Sequence, residues 1–174
     1  MKFDILESLN YKANITWKSN PDNQVGYFSI EDENYTIIIH FGSLALPQRK
    51  SPLEIFEISF QRLIEGQPTV RQTDSKYPSK VFGAVFNASL DVIKKDNPDV
   101  IVFSAKYEND SGNQEIFNKR VRIYSGIAHK IAQFGTYNQN SHEPLKSSYA
   151  LNFILVHSNI QISNEEIEYI KGQL

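Results

Sequence analysis

Between Ser79 and Phe134 the sequence sets two amphipathic helical patterns around one apolar strand, which restricts the chain to folds with a covered central strand. Ser79–Asp96 places Val81, Val85, Ala88 and Val92 on one helical face, widened by Phe82, Ala84, Phe86 and Ile93. The Ser79 hydroxyl is positioned to cap the first turn. Lys94 and Lys95 fall in the last turn, where the helix dipole favours cations. Asn97-Pro98 ends the pattern, because proline disfavours helical geometry in the residue before it. Asp99–Lys106 opens with Val100, Ile101, Val102 and Phe103, apolar on both alternations, so both faces of this strand should be buried. Asn113–Phe134 carries Phe117, Val121, Tyr124, Ala128 and Ile131 on one stripe, with Lys119, Arg120 and Arg122 mainly off it and Gly135 as its terminator.

The preceding residues alternate with period two. Ala13, Ile15 and Trp17 interleave with Asn14, Thr16 and Lys18; Ser19–Asn23 is a turn cluster; Val25–Ile30 is a strand. Asp32-Glu33-Asn34 reads as a turn into Tyr35–Phe41, rich in β-branched side chains, and Leu53–Leu63 forms the next strand. Arg49 and Lys50 stand on the tip of the Gly42–Pro52 loop, where solvation is their expected state. Glu65–Pro78 is polar, without helical period, and longer than the ~12 residues beyond which loops are often functional or mobile. Phe3–Leu9 fits a strand or a short helical lead-in equally. Glu108–Gly112 reads as a turn, Thr136–Ser148 as a polar loop and Tyr149–Val156 as a last strand, and Ser163 with Glu166 makes a capping box for a terminal helix. The pattern predicts one α+β domain over residues 1–174, with a mixed, largely antiparallel sheet of about six or seven strands, a central βαβ unit and three helices. The helix 163–174 is expected as a cap.

Composition narrows the chemistry. At 174 residues, 40% hydrophobic and 22% charged, the chain can bury a substantial core. With no cysteine, disulfides, thiolate nucleophiles and cysteine-ligated metals are excluded. The start Met1–Glu7 lacks the apolar core of a secretory signal, and no apolar run approaches the ~20 residues of a membrane span. A cytoplasmic or virion location without membrane attachment is the expectation. His40, His129, His142 and His157 occupy four segments without the i, i+4 spacing of a zinc helix, so no metal site is expected; His40 and His157 could act together only if their strand ends met at one sheet edge. Glu108–Asn113 opens on glutamate where a calcium loop opens on aspartate, and lacks the later bidentate glutamate. Ser104, Ser125 and Ser147 lack the flanking glycines of a nucleophile elbow. Lys119, Arg120, Arg122 and Lys130, if joined by Tyr77, Tyr107 and Tyr137, would suit single-stranded nucleic acid, but the net charge of −2 opposes that partner.

From roughly Tyr11 to Val156, the order meander, polar loop, helix, buried strand, helix and final strand resembles the GNAT-type acetyltransferases. The phrase carrying the resemblance is Asp99-Val100-Ile101-Val102-Phe103-Ser104-Ala105-Lys106, then Arg120-Val121-Arg122-Ile123-Tyr124, then Gly135-Thr136-Tyr137. The resemblance implies a loop before the central helix that wraps the pyrophosphate of acetyl-CoA, here Ser75, Lys76, Ser79, Lys80 and Val81, and a tyrosine that protonates the departing thiolate, here Tyr124. Lys80-Val81-Phe82, Phe103-Ser104-Ala105 and Arg120…Tyr124 are also similar to strings in uncharacterised small proteins of tailed phages. Between Gly66 and Gly83 the chain has no glycine, Asp74 adds negative charge and Pro78 removes an amide donor, whereas a phosphate loop needs close backbone approach. The leading expectation is therefore a non-catalytic interaction or virion-associated protein of phage type on a degenerate GNAT-like scaffold, with a protein partner and no cofactor. An acyl-CoA-dependent N-acyltransferase using acetyl-CoA is the alternative, and a nucleic-acid-binding accessory protein the third.

Overall fold

The computed structural model describes residues 10–69, 75–106, 114–139, 145–146 and 150–173. The alternating apolar residues of the N-terminal half form a meander of β1 (Thr16–Ser19), β2 (Asn23–Ile30), β3 (Glu33–Leu44) and β4 (Leu53–Ile64). The Asn20 side chain makes the first turn, its Oδ1 accepting the amides of Asp22 and Asn23, both at 2.9 Å. Pairing of Ile37 with Phe60 and of Ile39 with Ile58 puts four buried side chains on one face of the sheet. After β4 the chain turns at Glu65 and Gly66, both at positive φ, into β5 (Gln67–Thr69), which returns along the end of β4.

Next come α1 (Pro78–Asp96), β6 (Val100–Lys106), α2 (Gln114–Gln133), β7 (Tyr137–Gln139), β8 (Leu145–Lys146), β9 (Ala150–His157) and α3 (Asn164–Gln173). The strand order is β1-β2-β3-β4-β6-β9-β7, with β5 beside β4 and β8 beside β9. β4 and β6 run parallel across the α1 crossover, and the other described pairs are antiparallel. The fold is thus α+β, with a mixed, mostly antiparallel open sheet. The nine strands among the described residues exceed the expected number, because the segments read as polar loops at Glu65–Pro78 and Thr136–Ser148 contribute β5, β7 and β8. Strands of two or three residues carry too little alternation to be read from side chains.

The main core lies between one sheet face and helices α1 and α2, joining Ile37, Ile58, Val85, Phe103 and Ile127 among its buried members. On the opposite face, Val100, Val102, Ile154 and Val156 pack with Leu46, Leu53 and Ile170 of α3. Strand β6 is therefore covered on both sides, as its unbroken apolar run demands. Where α1 meets α2, a Cβ built on Gly126 would lie 2.8 Å from the Phe82 ring, so glycine permits the close crossing.

Helix α1 begins one residue before the expected cap. Tyr77 takes the cap position without a side-chain cap bond, and Pro78 is the first helical residue, where its missing N–H costs nothing. Asn97 ends the helix in the left-handed conformation, its N–H donating to the Ile93 carbonyl at 2.8 Å. In the capping box of α3, Glu166 Oε2 accepts the Ser163 amide at 2.9 Å and the Glu166 amide donates to Ser163 Oγ at 3.2 Å. The loop arginine expected to be solvated is instead tied down: Arg49 Nε donates to Glu166 Oε1 at 2.8 Å, and Arg49 Nη2 donates to the Gln161 carbonyl. The readings for Phe3–Leu9, Gln72–Asp74 and Glu108–Gly112 lie outside the described residues.

Candidate functional site

The parallel ladder between β4 and β6 covers Ile55–Ile58 against Val100–Phe103 and stops there. Beyond it β4 runs on to Ile64 and β6 to Lys106, so the two central strands part beside Ser104. Tyr124 of α2 sits in this fork. Its ring packs against Phe60 of β4 and Phe103 of β6, with centroid separations of 5.2 and 6.0 Å, and is 1% exposed. Its hydroxyl accepts the Phe60 amide at 2.9 Å, taking a β4 donor beyond the end of the parallel ladder. Farther along, β5 pairs with Arg62–Ile64 and covers the next part of the same strand. At the fork, Ser104 Oγ donates to Asn152 Oδ1 at 2.7 Å, linking β6 to β9.

The other sequence-predicted site residues gather at the start of α1, where they meet the β2–β3 turn. Three consecutive acids, Glu31, Asp32 and Glu33, face them. Glu33 falls in the stretch that reads as a turn, yet its side chain is fully buried. Its carboxylate accepts Tyr35 Oη at 2.5 Å, Ser75 Oγ at 2.6 Å and the Lys76 amide at 3.1 Å, and Arg62 Nη2 stands 3.4 Å away. Burial pushes this carboxyl up, but hydrogen bonds from Ser75, Tyr35 and Lys76 together with the Arg62 charge outweigh it, and the net direction is down. Burial, reinforced by the bond to Glu33, pushes the Tyr35 phenol up.

Around this centre the contacts are exposed. Lys76 Nζ donates to Asp32 at 3.1 Å and Tyr77 Oη donates to the same carboxylate at 3.2 Å. Lys80 Nζ donates to Glu31 at 2.7 Å and lies over the rings of Tyr11 and Tyr77. Ser79 is half-buried in the first turn, and Val81 is a core side chain, 1% exposed. Ser75, Lys76 and Lys80 are thus brought together, but around acids of the chain itself. Among them Glu33 is the residue that sequence reasoning missed. The only signal was the acidic triplet Glu31-Asp32-Glu33 opposite a cationic loop, and alternation from Tyr35 backwards would have placed Glu33 on the buried face.

Beside this cluster an open groove of about 620 Å³ runs between the Tyr11–Asn14 segment and the ends of β2, β3 and β4. Tyr27, Ser29, Asn34 and Tyr35 line it together with Lys12. Tyr27 is 40% exposed, with Lys18 Nζ 5.5 Å from its ring centroid, whereas Tyr35 is buried.

The described histidines do not converge, and His142 lies outside the described residues. His40 on β3 and His157 at the end of β9 are separated by β4 and β6, which overturns the shared-edge possibility. Among the described residues no group of three histidine or carboxylate side chains could hold a metal ion. Nor do Tyr77 and Tyr137 collect beside α2: Tyr137 is buried and donates to the Pro98 carbonyl at 2.6 Å, while Tyr77 stands at the start of α1, and Tyr107 lies outside the described residues. Among the described residues no helix is long and apolar enough to cross a membrane.

No protein-family model matches the chain, and no curated protein or solved structure matches it either.

Proposed function

We propose that this chain is a non-catalytic protein-interaction domain of phage type, built on a GNAT-like scaffold whose cofactor cleft is filled by its own residues. The observation that carries the proposal is the fork between β4 and β6. A GNAT protein lodges its cofactor there; here Tyr124 is buried in it with its hydroxyl on the Phe60 amide, and β5 covers the strand beyond. The loop that would wrap a pyrophosphate is occupied as well, since the Ser75 hydroxyl and the Lys76 amide both donate to Glu33. A carboxylate held there repels phosphate. The phage and virion association rests on the three sequence strings shared with small phage proteins. For the partner, the groove beside Tyr11–Asn14, with Tyr27 on its rim, is the assigned surface; exposed aromatic side chains are enriched at protein contacts.

The alternative, an acyl-CoA-dependent N-acyltransferase, draws on one observation: Tyr124 stands at the fork, where a thiolate would depart. It requires the Tyr124–Phe60 and Glu33–Ser75 bonds to open. Thermal unfolding with millimolar acetyl-CoA separates the two. A ligand that binds only the folded state raises the midpoint by an amount set by its concentration over Kd. The expected result is no shift. A clear rise that disappears in Lys80→Glu would replace the interaction domain with the acyltransferase.

A further inference from the structure

The bonds to Glu33 come from two places, the β3–β4 ladder and the segment that feeds α1. Arg62 comes from β4, Tyr35 from β3, and Ser75 and the Lys76 amide from the segment that feeds α1. Together they supply one guanidinium, two hydroxyl donors and one backbone donor to a carboxylate with no exposed side-chain surface. Tyr77 N–H donates to Ser75 Oγ at 2.9 Å, which orients the serine so that its proton points at Glu33. A buried carboxylate without such donors would be neutral; with them it is held ionised.

We propose that Arg62, Tyr35, Ser75 and the Lys76 amide form an oxyanion-binding site that the chain fills with its own Glu33. The ligand class is a small carboxylate or phosphate. The β2–β3 turn is the internal ligand that orders the entry to α1. Two of the donors, Arg62 and Tyr35, are anchored independently of the acid they bind. Arg62 and Tyr35 are partners in the β3–β4 ladder, and Ser75 is held by the Tyr77 amide. Removing the carboxylate should therefore leave a cavity lined by donors, of a shape that accepts an external oxyanion. The inference rests on the contacts of Glu33 alone and stands whether or not acetyl-CoA binds.

The test is anion rescue of Glu33→Ala. Thermal unfolding of the wild type and the variant is compared in sodium acetate and in inorganic phosphate against sodium chloride, at neutral pH and matched ionic strength. Subtracting the wild-type response removes the general stabilisation that excluded salts give every protein. In chloride the variant should unfold several degrees below the wild type. Acetate or phosphate should then raise its midpoint saturably, by roughly 5 °C or more at full occupancy. Adding Arg62→Met to the variant should abolish that rise. An anion response equal to that of the wild type overturns the proposal, as does a rise that survives Arg62→Met. If Glu33→Ala does not fold in chloride, the readout becomes recovery of the native fluorescence of Trp17, the only tryptophan, on refolding into acetate or phosphate. Failure to recover in either anion also overturns it.

Discussion

From Ile55 to Ile58, β4 lies between β3 and β6, its backbone shared by an antiparallel and a parallel ladder and its Phe56 and Ile58 side chains packed under α1 and α2. From Ser59 to Ile64 it keeps β3 but loses β6, and its second side is completed piecemeal. The Tyr124 hydroxyl takes the Phe60 amide and β5 pairs with the last residues, while on the β3 side Arg62 reaches Glu33. The first half is thus held by two ladders and hydrophobic burial, whereas the second, apart from the buried Phe60 ring and the short β5 ladder, relies on individual polar contacts. Burial sums over area and tolerates small changes in direction. Polar contacts are all-or-none, because a buried donor that loses its acceptor keeps the full desolvation cost. The fork is therefore where the molecule should be most sensitive to single atoms, and the paired half most sensitive to volume.

The largest expected effect tests the paired half. Ile58 is fully buried, so Ile58→Ala removes apolar volume from a site walled by two strands and two helices. A loss of about 2–5 kcal/mol in unfolding free energy is expected by denaturant titration. A loss below ~1 kcal/mol would mean that the site collapses freely and that the two halves of β4 do not differ as described.

Tyr124→Phe reverses the logic. The ring that packs against Phe60 and Phe103 stays, and only the oxygen that accepts the Phe60 amide is removed. The buried donor left behind should cost about 1–3 kcal/mol. Hydrogen exchange at that amide should accelerate more than at Ile58 if the damage stays in the fork. Equal acceleration at both positions would show that the halves of β4 open as one unit.

How far these contrasts are legible in the sequence follows from the same division. The paired half is legible, because Phe56 and Ile58 alternate with Glu57 and Val100–Phe103 reads as apolar on both faces, so burial leaves a periodic imprint. Tyr124 falls on a helical stripe and was identifiable as a candidate, but nothing in its spacing names Phe60 as partner. Glu33 left the weakest trace. Its burial depends on Arg62 and Ser75, residues distant in sequence whose approach is fixed by the β3–β4 register and by the β5 hairpin. Polar contacts across such separations have no period, and β5, with three residues, has too few to show one.

The smallest effect probes the polar half through its charge. Ser75→Ala deletes one donor to Glu33 and leaves Tyr35, Arg62 and the Lys76 amide in place, so about 1 kcal/mol should be lost at neutral pH. Its pH dependence identifies it. The folded carboxyl lies below the ordinary glutamate value, because its hydrogen bonds and the Arg62 charge overcome the opposing effect of burial. The stability it contributes is therefore fully present above about pH 4.5 and is lost as pH falls through the lower folded value. Without the Ser75 donor, the folded value moves back toward the unfolded one, and the acid-side loss becomes shallower. The difference between wild type and variant should be widest near neutrality and should narrow as Glu33 protonates in both. The Tyr35 phenol, pushed up by burial, stays neutral in that range, and the narrowing reports on the carboxylate that Ser75 faces. A difference that stays constant from pH 7 to pH 3 would mean that Ser75 supports the turn without supporting its charge. The two halves of β4 would then differ only in how tightly they are packed.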